Sequence, residues 1–227
     1  PRADEAFLAP FAQGLFALAD EHGIELVGGD TTAGPLNLCI TVFGQLPPGQ
    51  ALLRSGARPG DELWASGTLG DARLALEVFR GRVALAGDAF ESVRRAMELP
   101  QPRVALGQAL RGVASSAIDL SDGLVGDLGH VLKRSNVGAT VDVDALPRSA
   151  VLAAQPPALQ RECLLAGGDD YELLFTAPAA AREAVLAAGA QAGVAVTRCG
   201  AITAEAGLRV VDGAGHPVAT PWRGFDH

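Results

Sequence analysis

Lysine is almost missing from this chain: Lys133 is the only one in 227 residues, and arginine carries nearly all the positive charge. A P-loop of the form G-x-x-x-x-G-K-[ST] is therefore excluded. Lys133, followed by Arg134 and Ser135, also has no protein-kinase V-A-I-K context. Cysteine is scarce, and Cys39, Cys163 and Cys199 are odd in number, far apart and without a C-x-x-C pair. They read as buried thiols of a reducing, cytoplasmic setting. His22, His130, His216 and His227 are scattered without metal-ligand spacing. Cationic charge is outweighed, 18 Lys and Arg against 26 Asp and Glu, for a net charge of −8. That balance argues against nucleic acid and against an anionic membrane as partners. No apolar run reaches transmembrane length, and no signal peptide is read at the start of the sequence. The chain starts at Pro1, directly in helix-like sequence, so a further N-terminal portion is expected.

Hydrophobic residues make up 48% of the chain and charged residues only 19%, enough for a substantial core and not the composition of a disordered protein. Phe7, Leu8, Phe11, Leu15, Phe16 and Leu18 recur at helical spacing, predicting a helix over 4–21. Short strands are expected at 24–27 and 36–44, and Pro47-Pro48-Gly49 is a candidate domain boundary. Beyond it we expect strands near 62–66, 116–120, 140–143, 171–176, 194–198 and 208–211. Helices are expected after Asp71 and near 89–98, 103–113, 124–135 and 179–188. The fold class is then mixed α/β (α+β, two-layer), with residues 1–46 as the rear part of one domain and 47–227 as a second.

Four short phrases and one aromatic carry the chemistry. Gly28-Gly29-Asp30-Thr31-Thr32 is either a strand-exit turn or a phosphate cradle. In the turn, glycine takes positive φ and side chains satisfy the backbone. In the cradle, N–H groups at Gly29 approach phosphate while Asp30 binds Mg²⁺. Asp119-Leu120-Ser121-Asp122-Gly123 lies between strand and helix. Ser121 or Asp122 would make a natural N-cap. The same helix start would also dock a phosphate, with Asp119 and Asp122 binding Mg²⁺ from either end of the turn. Gly167-Gly168-Asp169-Asp170-Tyr171-Glu172 is a solvated acidic loop or a third functional phrase. Arg54, in Arg54-Ser55-Gly56, is a surface charge or a fork for phosphate oxygens. Trp222 is a core plug or a platform for a flat, cationic heterocycle.

In order, these phrases resemble the thiamine-monophosphate kinase family, part of the superfamily of aminoimidazole ribonucleotide synthetase and selenophosphate synthetase. The match also takes in Pro59-Gly60-Asp61, Gly67-Thr68-Leu69-Gly70-Asp71, Pro102-Arg103, Asp127-Leu128, His130 and Gly224-Phe225-Asp226-His227, and so spans the chain. The resemblance implies transfer of the ATP γ-phosphoryl to thiamine monophosphate, several Mg²⁺ ions, and a homodimer with ATP between domains. It implies Asp30, Asp119 and Asp122 as metal ligands, and Gly29, Asp30, Arg54 and Ser121 as ATP contacts. Asp169 and Trp222 would contact thiamine monophosphate, and no residue is assigned as general base. Two positions depart from the family pattern: Asp169 stands where Glu is usual, and Phe225 where Tyr is usual. A family segment bearing a Gly-Asp-Asp phrase and further metal ligands has no counterpart here, so the chain alone is expected not to turn over. The rival readings are another ATP-using synthetase of the superfamily and a non-catalytic nucleotide-binding fragment. The third acidic phrase and the Trp222–His227 tail favour the thiamine enzyme.

Overall fold

The computed structural model describes residues 4–219 and Pro221. Trp222 and the Gly224-Phe225-Asp226-His227 ending lie outside the described residues. The chain divides into two compact units, residues 1–46 and 47–227.

In the first unit, helix α1 (Glu5–Glu21) starts where Asp4 accepts the Phe7 N–H on its side chain at 3.1 Å. That bond satisfies one of the donors a helix start leaves open. Phe7 and Phe11, one turn apart, stack with ring centroids 6.1 Å apart. Gly23, at φ 63°, follows the helix end. Residues 24–46 form neither helix nor strand, so the strands expected at 24–27 and 36–44 are not present. A β-prone run becomes a strand only against a neighbour that takes up its backbone groups. Among the described residues, none pairs with these two runs. Val27, Val42 and Phe43 are accordingly exposed. So is Cys39, against the expectation of a buried thiol, whereas Cys163 and Cys199 are buried.

The second unit is built on six strands: β1 (Asp61–Ser66), β2 (Ser116–Asp119), β3 (Gly138–Asp142), β4 (Leu173–Pro178), β5 (Val196–Thr203) and β6 (Gly207–Val211). Their order across the sheet is β2-β4-β1-β5-β3-β6, antiparallel throughout except for the β3–β6 pair. β1 lies between β4 and β5 and is buried along its whole length, because alternate residues face two different cores. Leu63 and Ala65 join the larger core, and Trp64 the smaller.

The larger core is filled from α2 (Asp71–Phe79), α3 (Asp88–Glu98), α5 (Leu124–Ser135), α6 (Ala150–Ala153) and α7 (Pro157–Ala166), through side chains such as Leu74, Val93, Leu128, Leu152 and Leu164. On the opposite face α4 (Val104–Ala109) and α8 (Arg182–Ala192) add a smaller layer beyond the two expected. There Leu106 and Val185 cover Trp64 and Phe175, whose rings stack 6.5 Å apart. α6 and α7 are not among the expected helices, and their stretch carries Pro147, Pro156 and Pro157, residues that commonly interrupt a helix. Instead, the Ser149 hydroxyl caps α6 by accepting the Leu152 N–H, and Pro157 opens α7, where a missing N–H costs nothing. Among the described residues no helix is long and apolar enough to cross a membrane.

Candidate active site

Strand β2 ends at Asp119, opposite Leu173 at the start of β4. The ladder continues past both strand ends. Leu120 N–H donates to the Glu172 carbonyl at 2.9 Å, and Tyr171 N–H donates to the Leu120 carbonyl at 2.9 Å. Asp169 N–H then donates to the Ser121 carbonyl at 3.0 Å. Main-chain bonds thus draw together two acidic phrases that lie far apart in sequence. Glycine makes the approach feasible: a β-carbon on Gly168 would lie 2.5 Å from the Ser121 carbonyl oxygen.

The side chains on this frame gather negative charge. Asp119 and Asp169 are exposed, and Ser121 and Asp122 are half-buried. The Tyr171 hydroxyl donates to Asp169 Oδ1 at 3.3 Å. Burial pushes the phenol pKa up, and the charges of Asp169, Asp119 and Asp122 push it further, so the group stays protonated. Behind the turn, Asp127 is buried in the first turn of α5, and its Oδ2 accepts the Asp122 N–H at 3.0 Å. Burial raises the Asp127 carboxyl pKa, and the neighbouring Asp122 and Asp119 carboxylates add to the rise. Neither Ser121 nor Asp122 is the N-cap of α5: Gly123, at φ 106°, occupies that position without a side-chain cap. Asp127 reaches back from inside the helix, which leaves the Ser121 and Asp122 side chains outside the capping role.

The third phrase is not a uniformly solvated loop. Asp169 and Tyr171 have positive φ, 66° and 50°, which delays the start of β4 to Leu173. Asp170 and Glu172 turn inward. Both Asp170 carboxylate oxygens accept the Gly70 N–H ahead of α2, at 3.0 and 2.9 Å. Burial first, then the nearby Asp71 and Glu172, hold the Asp170 carboxyl well above the usual range. Glu172 takes Arg103 Nε at 2.7 Å, together with Arg103 Nη2 and the Ser66 hydroxyl. Sequence reasoning missed Asp127, Asp170 and Glu172 as anchors. Their signal was membership of the phrases that carry the resemblance, Asp127 in Asp127-Leu128 and Asp170 and Glu172 in the third acidic phrase.

The remaining predicted residues lie elsewhere. Gly29 and Asp30 belong to the first unit, in the stretch after α1. Arg54 is exposed, and its carbonyl accepts the hydroxyl of Ser135, the last residue of α5. Its backbone is therefore roughly 18 Å, one twelve-residue helix, from the Asp122 end of α5. Trp222 lies outside the described residues.

Among the described residues, no three His, Cys, Asp or Glu side chains form a ready-made metal cage. Oxygen donors from Asp119 and Asp122 nonetheless suit Mg²⁺, which keeps several waters and is typically held by one or two carboxylates plus substrate phosphates.

Residues 58–213 match the family described as AIR synthase related protein, C-terminal domain. The chain is 45% identical to thiamine-monophosphate kinase of Salmonella typhimurium over 231 residues, covering all of this chain and 70% of that protein. It superposes on the crystal structure of thiamine-monophosphate kinase from Stenotrophomonas maltophilia with a TM-score of 0.85 at 43% identity, over 96% of this chain and 70% of the other. A third likeness, at TM-score 0.64 and 29% identity over 78% of this chain and 54% of the other, is to AaThiL complexed with AMPPCP and TMP. Sequence, fold and the order of the acidic phrases agree: the chain belongs to the thiamine-monophosphate kinase family.

Proposed function

We propose that the protein transfers the γ-phosphoryl group of ATP to the phosphate of thiamine monophosphate, giving thiamine diphosphate and ADP. The observation that carries the reading is the main-chain ladder that brings Asp119, Ser121 and Asp122 beside Asp169. It supports a site in which donor and acceptor phosphates meet at one end of β2. Asp119 and Asp122 would hold Mg²⁺, which would neutralise charge on the donor and acceptor oxygens, and Asp30 is a proposed Mg²⁺ ligand of the first unit. Ser121, with Gly29 and Asp30, would contact ATP. Arg54, a helix length away, would engage a part of the nucleotide remote from these carboxylates.

Asp169 would orient thiamine monophosphate, with Trp222 as a second contact. The acceptor is a phosphate whose second pKa lies near 6, so it is largely dianionic at neutral pH and requires no general base. Positioning and charge neutralisation then account for the rate. Residues 1–46 would be the rear of an ATP-binding and dimerisation domain. The exposed apolar run around Val42 and Phe43 supports a homodimer. The buried Cys163 and Cys199 thiols support a cytoplasmic setting.

The test is thiamine diphosphate formation from Mg²⁺-ATP and thiamine monophosphate, by the protein as its gene encodes it, against an Asp122→Asn variant. We expect the variant to fold normally and lose activity by roughly 100-fold or more. Unchanged turnover would remove Asp122 from the metal site.

A further inference from the structure

Thiamine monophosphate has two ends of opposite charge, a flat cationic thiazolium ring and a phosphate. The carboxylates of the site account for the phosphate through Mg²⁺, and beside Trp222, which lies outside the described residues, no aromatic has yet been placed against the ring. Tyr171 stands where such a group is needed. It is the only tyrosine in the chain, it is 43% exposed, and its hydroxyl is tethered to Asp169.

Its backbone is the stronger signal. At φ 50° a bulky aromatic sits in a region that L-residues rarely adopt. Such a conformation persists only where the surroundings over-determine it, and it concentrates at functional sites. Here the Tyr171 N–H is fixed to the Leu120 carbonyl, and Asp170 and Glu172 are tied inward on either side, to Gly70 and to Arg103 with Ser66. The alternation turns Asp169 and Tyr171 outward together. A cationic ring is attracted by the π face and by the neighbouring Asp169 carboxylate alike.

We infer that Tyr171 is a specificity-determining residue of the phosphoryl transfer, its ring forming the face on which the thiazolium of thiamine monophosphate rests. The assignment builds on thiamine monophosphate being the acceptor.

The experiment compares Tyr171→Phe, Tyr171→Ala and Tyr171→Asn, the last chosen because Asn tolerates the left-handed backbone. KM is measured separately for thiamine monophosphate and for ATP, and Kd for thiamine monophosphate by calorimetry. We expect Ala and Asn to raise KM and Kd for thiamine monophosphate roughly five- to thirty-fold. KM for ATP should stay unchanged, and Phe should behave as wild type. A merely structural role would lower the melting temperature without separating the two substrates. Equal loss in Phe would transfer the role to the hydroxyl and overturn the inference. Unchanged constants in Ala and Asn, or a parallel rise for both substrates, would overturn it too. A wild-type protein that binds ATP but not thiamine monophosphate would overturn the substrate reading and the inference together, and is seen before any variant is made.

Discussion

At Gly168 a side chain has no room, because its β-carbon would press on the Ser121 carbonyl oxygen that already accepts the Asp169 N–H. Main chain cannot swing away as a flexible side chain would. Gly168→Ala therefore has to part the two acidic phrases. We expect a loss of about 1–3 kcal/mol in unfolding free energy, typical of overpacking. The displaced carboxylates should lower kcat by something on the order of 100-fold. Chemical denaturation and steady-state kinetics on the same sample check both. A variant as active and as stable as wild type would mean that the close approach does not set the geometry. The acids themselves divide by what they touch. Asp170 and Glu172 are spent on backbone and arginine partners, so Asp169 alone of the phrase's three acids faces outward.

Among elements, α2 shows how a carboxylate far from the chemistry holds the layer together. Glu77 is buried and binds Arg73 at 2.8 Å, Arg80 at 3.1 Å and Arg82 at 3.1 Å, while Arg73 continues to Glu162 of α7 at 2.6 Å. Burial pushes the Glu77 carboxyl up, but Arg73 and Arg82 outweigh it and the net shift is downward. A carboxylate lowered in the folded state adds stability above its unfolded value near 4.5, and that stability fades as pH falls through the folded value. Glu77→Gln should thus cost about 1–3 kcal/mol at pH 7. The gap to wild type should narrow as pH falls below that unfolded value; melting curves across pH 3–8 test the sign. A gap that widens in acid would contradict it.

How much of this was legible follows from the reach of each interaction. α1, α5 and β2 showed in the sequence because their apolar spacing is local. α6 and α7 did not, because Pro157 at a helix start looks like Pro157 in a loop until the cap before it is known. The acidic phrases were legible as glycine beside carboxylate. Their pairing was not, since it is made by backbone atoms of residues about fifty positions apart, which leave no trace in side-chain type. The runs at 24–27 and 36–44 fail for the converse reason: their composition favours strands, but a strand also needs a neighbour.

For the whole molecule, a net charge of −8 with carboxylates gathered at one end of β2 predicts a specific response to divalent cations. Millimolar Mg²⁺ should raise the melting temperature more than NaCl of equal ionic strength, and a chelator should reverse it. At a hundredfold excess over Kd the gain is about 2.7 kcal/mol. Asp122→Asn should keep the salt response and lose the magnesium-specific part; equal responses to both cations in wild type would reduce the cluster to diffuse charge. The ladder beneath that cluster has a further consequence, for how the sequence can drift. Its bonds use atoms common to every residue but proline, so its geometry is inherited separately from the identity of the side chains it displays. A lineage can exchange Glu for Asp at 169, shortening one arm by a methylene, without redrawing the frame, whereas a change at Gly168 alters every arm at once.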